Sequence, residues 1–210
     1  MADFLKILPY ILGAAVSPIL LVTTLYILSQ SISPIKKTAL FLLSATLTIG
    51  IVTLFIFFTT NFNPNPAPNK DLLPHVIIGI LLLFLAYGIY RNGPAKPKKQ
   101  NDQKQTWWGY LALGFVLMIT NFTTIAMIFE VALELRADKI VGITKIIYLF
   151  VTVLSSIIPI ILPLIILVLA GKRSKDILSS LSGFMQHYAH IVTAIFFTVL
   201  GVFSILKPLI

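Results

Sequence analysis

The residues of this chain that could do chemistry are few. Glu130 and Glu134 are the only ionisable residues well inside an apolar stretch. Ionisable groups inside a membrane segment mark proton relays, ion paths or gates by default. The two lie four residues apart, on one face of a helix, a spacing that suits a proton-coupling carboxylate or a gate charge. Helical rise from Trp107 puts them near the outer end of their segment. The plainer expectation is therefore an interfacial pair in water, with Arg136 or Lys139 as counter-ion.

A second kind of chemistry is binding by broken helices. Gly13-Ala14-Ala15-Val16-Ser17-Pro18 puts a proline inside the first apolar stretch. Proline removes one backbone hydrogen bond and collides with the carbonyl four residues back. Ser17 could re-satisfy a freed carbonyl. Thr120-Asn121-Phe122-Thr123-Thr124 sets four polar side chains among five residues of the fourth stretch. By rise, Ser17 lies about 20 Å and Asn121 about 21 Å from the starts of their helices. Taken singly, each is an ordinary kink or interhelical glue. As a pair at matching depth they suggest a binding site, with Ser17, Pro18, Thr120, Asn121, Thr123 and Thr124 as its candidate substrate-binding residues.

Other chemistry is poorly supplied. The chain has no cysteine, hence no disulfide, thiolate metal site or thiol relay. His75, His187 and His190 fall at segment boundaries and are expected to anchor or cap rather than to hold metal. No nucleophile–base pair, carboxylate dyad or ligand cluster stands out. No enzyme, metal or cofactor is expected.

The elements that must position these residues follow from composition. The chain has 210 residues, 58% hydrophobic and only 11% charged, with mean hydropathy +0.97. Soluble domains carry about 25% charged residues, so this chain is expected to dissolve in lipid. The net charge of +9 would suggest nucleic acid in a soluble protein. Here the basic residues sit in loops between apolar runs and are expected to face water and anionic headgroups. The partners expected are membrane lipids and a lipid or small-molecule substrate, not nucleic acid.

Six apolar stretches approach the roughly 20 residues a bilayer core requires: about 4–28, 38–60, 74–90, 107–135, 146–170 and 190–206. The first is not read as a signal peptide, because its apolar run continues past the small residues. Pro159 and Pro163 should bend the fifth. The loop 61–71 is rich in Pro and Asn, and the loop 91–106 is the most basic. After Gly171, the spacing of Ile177, Leu178, Leu181, Phe184 and Met185 fits one face of a helix. An amphipathic surface helix over about 172–187 is expected before the last span. The first, third and fifth loops carry ten lysines and arginines against six on the other side. The positive-inside rule then puts both termini outside the cell membrane.

The third and sixth stretches resemble each other. His75-Val-Ile and His190-Ile-Val open them, and small residues recur at Gly79 and Ala194, then at Ala86 and Gly201. Two inverted three-helix repeats are expected: residues 1–95, a basic linker 96–106, and residues 107–210. Such folds place their site near the midplane. Gly79 and Gly201 would permit close packing, within one chain or between two copies in a homodimer.

Four stretches carry a resemblance to a known family: Leu12 to Leu21, Pro34 to Leu42, the Asn121 region, and the tail from Ala170 to Tyr188 leading into a helix with Val199-Leu200-Gly201. They resemble the GAP family, also called Sap or peptidoglycolipid-addressing proteins, in the lysine exporter (LysE) superfamily of six-helix membrane proteins. The resemblance implies movement of lipids or glycolipids towards the cell surface. The family commonly has Asn-Pro-Lys in the fourth helix. This chain has Asn121-Phe122-Thr123, so only the asparagine carries over.

The leading expectation is an all-α, six-span transporter that exports a lipid, glycolipid or related amphipath by alternating access. A proton-coupled exporter of small solutes such as amino acids, or of ions, is the first alternative. A non-transporting subunit of an envelope-lipid assembly is the second.

Overall fold

A computed structural model of the chain describes residues 2–30, 33–61, 72–93, 106–137 and 142–206. The Pro/Asn loop, most of the basic linker and Lys139 lie outside the described residues. The described residues form helices and short turns, with no strand among them.

Among the described residues nine α-helices follow in order: α1 Ala2–Ala15, α2 Pro18–Gln30, α3 Pro34–Asn61, α4 Leu72–Asn92, α5 Trp107–Ile119, α6 Phe122–Ala137, α7 Ile143–Ser156, α8 Ile158–Leu169 and α9 Ser174–Leu206. Among the described residues, four segments are long and apolar enough to cross a membrane: Lys6–Ser29, Pro34–Thr59, Leu73–Asn92 and His187–Leu206. The pairs α5–α6 and α7–α8 bend by 55° and 58° at their breaks; counting each as one span gives six. The protein is thus a helical membrane protein, with four to six candidate spans among the described residues.

The breaks have local causes. Pro18 opens α2, where its missing N–H is an orphan position in any helix. The first helical bond of α2 runs from Leu21 N–H to the Ser17 carbonyl, at 3.1 Å. Ile157 precedes α8, whose first turn contains Pro159, in keeping with the expected bend. The segment expected as a separate surface helix is instead continuous with the last span: α9 runs unbroken for 33 residues.

Buried side chains form two clusters. One gathers Ile7, Tyr10, Leu82, Met127, Phe197 and Leu200, from α1, α4, α6 and α9. The other gathers Leu20, Phe41, Ile49, Met118, Ile128 and Ile160, from α2, α3, α5, α6 and α8. Only α6 contributes buried residues to both, Met127 and Val131 to the first and Ile128 and Ala132 to the second. Large apolar side chains cover the outside, among them Phe84, Ile51 and Phe55, as a lipid-facing surface requires. Several hydroxyls inside the spans bond back to their own helix. Thr24 donates to Leu20 O and Thr53 to Ile49 O, each at 2.7 Å, which leaves no bare hydroxyl at those positions in hydrocarbon.

Glycines allow close helix approaches. A Cβ on Gly79 would lie 2.8 Å from the Gly201 carbonyl, and one on Gly201 would lie 2.9 Å from the Gly79 carbonyl. Ser204 donates to the His75 carbonyl at 3.2 Å, so α4 and α9 run antiparallel. Gly114 of α5 meets the Phe41 carbonyl of α3 at 2.6 Å from its would-be Cβ, and Ser44 donates to Leu111 O at 2.5 Å alongside.

Candidate functional site

Two polar groups lie along α6: Asn121 and Thr124 at its start, then Glu130 and Glu134 beyond Met127. Opposite them runs α1, antiparallel. Asn121 meets Ser17, Met127 meets Gly13, and Glu130 meets Tyr10.

The first group joins the two breaks anticipated from sequence. Asn121 Nδ2 donates to Ser17 Oγ at 3.0 Å, across 104 residues of chain. Asn121 Oδ1 accepts from the Thr124 backbone N–H at 3.5 Å, and the Asn121 carbonyl accepts from Ile125 N at 3.1 Å. Asn121 therefore occupies the N-cap of α6, as Ser17 occupies that of α2. Each lies midway along its span, Ser17 within Lys6–Ser29 and Asn121 within Trp107–Arg136. Both are buried, as is Thr124. The Thr124 hydroxyl has no hydrogen-bond partner among the described residues.

Not every expected residue joins this group. Thr120 is exposed and its hydroxyl bonds back to Val116 O at 2.8 Å; the bend at the break turns it away from Asn121. Thr123 is half-buried, and so is Pro18. The Ser17 hydroxyl serves Asn121 rather than a freed carbonyl of its own helix, because Pro18 begins a new helix instead of kinking an old one.

The second group corrects the expectation of an interfacial carboxylate pair. Glu130 is fully buried and Glu134 is 6% exposed. Glu130 Oε2 is hydrogen-bonded to His75 Nδ1. Ser204 Oγ donates to Glu130 Oε1 at 2.6 Å, and the same hydroxyl reaches the His75 carbonyl. The other ring nitrogen, His75 Nε2, faces Glu134 Oε1 at 3.9 Å. Tyr10, fully buried, interacts with Glu130 and Ser204. His75 is thus no helix cap; it is a buried partner held between two carboxylates. His75 and Ser204 each lie two residues from the end of a candidate span. Glu130 is buried because α1, α4 and α9 close over that end of α6.

Among the described residues no three His, Asp or Glu side chains converge as a metal site. The Ser204 hydroxyl addresses the carboxylate and not the imidazole, so these residues do not form a nucleophile–base pair of the serine hydrolase kind.

No curated protein and no solved structure matches the chain. One family model does, that of Sap, the sulfolipid-1-addressing protein (SfLAP), over residues 7–208. That match includes both polar groups and every helix break. The chain belongs to the Sap, sulfolipid-1-addressing protein, family.

Proposed function

We propose that the protein is an exporter that moves an acidic amphipathic lipid towards the outer side of the cell membrane by alternating access. The observation that carries this reading is the Ser17–Asn121 hydrogen bond, which ties two half-helix N-termini together midway through the span. The first N–H groups of a helix lack intrahelical acceptors and carry partial positive charge. Two such ends at one depth attract an anionic headgroup. Broken helices meeting at the midplane are the usual site architecture of transporters built from repeats. The family's description names a sulfolipid, and a sulfate ester is an anion of this kind.

Further features support the same reading. Gly79 of α4 and Gly201 of α9 approach closely and antiparallel, and continuing that register along both helices would set Ala86 level with Ala194. These four are the small residues that match between the third and sixth stretches, as two inverted three-helix repeats in the manner of the lysine exporter superfamily would have it. The two packed clusters give alternating access two bodies to move, with α6 between them. The first half of α9 would lie towards the cytoplasmic headgroups, and the lysine and arginine bias would set both termini outside.

A proton-coupled exporter of small solutes is the second reading, favoured by the buried His75–Glu130 pair. Lipids that co-purify with the wild type and with Asn121→Leu, identified by mass spectrometry in one detergent, separate the two. An acidic lipid held by the wild type and lost from the variant supports lipid export. No enriched lipid in either moves the weight to a small solute.

A further inference from the structure

The His75 cluster is titratable, buried and not used by the lipid site. We propose that His75, Glu130 and Ser204 form a proton-binding lock that fastens α4 and α9 to α6, with Glu134 as its outlet to water. Three helices meet on one carboxylate. His75 of α4 is hydrogen-bonded to Oε2, and the Ser204 hydroxyl of α9 donates a hydrogen bond to Oε1 at 2.6 Å. Glu130 has no exposure, so its charge must be met by these partners.

The proton has a definite place and route. In the charged imidazole both nitrogens carry a hydrogen, Nδ1 towards Glu130 and Nε2 towards Glu134 at 3.9 Å. The Nε2 proton passes to a Glu134 oxygen and from there to water, leaving a neutral ring that still donates through Nδ1. Glu134 lies one turn nearer the end of α6 and is slightly exposed where Glu130 is not. After release, two carboxylates share one neutral ring, and the hold on α4 weakens. Uptake reverses each step.

Other ionisable groups border the cluster. Tyr10 on α1 interacts with both carboxylates, and Lys6 lies one turn before it. Arg136 follows Glu134 on α6. Lys145 and Tyr148 stand on α7, where Lys145 is buried with its ammonium 4.8 Å from the centre of the Phe57 ring. The titratable residues of α3, Lys36 and Lys37, lie at that helix's start. Among these groups only the imidazole both bridges two carboxylates and changes charge in the neutral range unaided.

Using this proton to drive export rests on the function proposed above, so the test uses no lipid substrate. Protein with ¹⁵N-labelled histidine, carrying His187→Gln and His190→Gln, leaves His75 as the only reporter. Its ring is expected to change protonation state with pH, and Glu130→Gln is expected to alter that response. The chain has no cysteine, so spin labels on Phe84→Cys of α4 and Phe122→Cys of α6 are unique; both sites are exposed. Their separation should change with pH in the wild-type background and stay fixed in Glu130→Gln. If Glu130→Gln fails to give a monodisperse helical protein, Ser204→Ala takes its place and should blunt the pH response. A ring that keeps one protonation state, or a separation that responds to pH equally in wild type and variant, overturns the proposal. Failure of lipid export alone would leave both readouts intact and would count only against the exporter.

Discussion

Ser17 and Asn121 are each the residue before a half-helix, and they are hydrogen-bonded to each other at 3.0 Å. One asparagine side chain thus does two things: its oxygen caps α6 and its nitrogen holds the start of α2. The breaks in two spans are not independent defects, since neither end can move without releasing the other.

Asn121→Leu removes the cap and the link together. A lost cap costs about 0.5–2 kcal/mol, and an interhelical hydrogen bond in a membrane averages about 0.6 kcal/mol. The variant should lose about 1–3 kcal/mol, against under about 1 kcal/mol for Ser17→Ala, which leaves the cap of α6 in place. Thermal unfolding in detergent, followed by circular dichroism, tests the order. Equal losses would show that the cap contributes little.

Thr124→Val separates binding from folding. The hydroxyl is buried without a partner among the described residues, so replacing it by a methyl of similar shape should leave stability unchanged or raise it by up to about 1 kcal/mol. Retention of acidic lipid should nevertheless fall. A variant that melts lower but keeps its lipid would assign the hydroxyl a structural partner instead.

Gly201→Ala and Gly50→Ala should move in opposite directions. A Cβ at 201 falls 2.9 Å from the Gly79 carbonyl, whereas one at 50 meets nothing within 4 Å. The first should cost about 1–3 kcal/mol through overpacking, and the second should gain about 0.5–1 kcal/mol from helix propensity. The pair shares one measurement, the midpoint of heat-induced loss of helicity.

Ser44→Ala probes the other close helix pair. Its hydroxyl donates to Leu111 O at 2.5 Å beside Gly114. Loss of about 0.5–1.5 kcal/mol is expected, with no effect on lipid retention, because Leu111 lies ten residues before Asn121 along the chain. Loss of lipid would tie the α3–α5 contact to the site.

Much of this arrangement was legible in the residues. Apolar runs mark the spans because the bilayer fixes their length. Pro18 and the Thr120–Thr124 cluster mark the breaks because each conflicts with continuous helix bonding. The Glu130 partners were hidden for a different reason. Rise along one helix gives depth, but it does not say which helices close over that depth. His75 opens its span and Ser204 ends its own, at the level and on the side where Glu130 falls. A comparison of ionisable residues by depth and side, rather than by segment, would have paired His75 with Glu130. Thr120 was misassigned because proximity in sequence to Asn121 ignores the 55° bend between them.

The Glu130 cluster also carries an order of assembly. His75 precedes Glu130 by 55 residues and Ser204 by 129. During synthesis the third span is complete before either partner has been made, so its imidazole enters the bilayer with neither of them present. Glu130 then finds one partner already present and lacks the other until the ribosome is nearly finished. The last helix is therefore the one that completes the cluster, and a chain cut short before Ser204 would hold a buried acid that nothing on α9 answers.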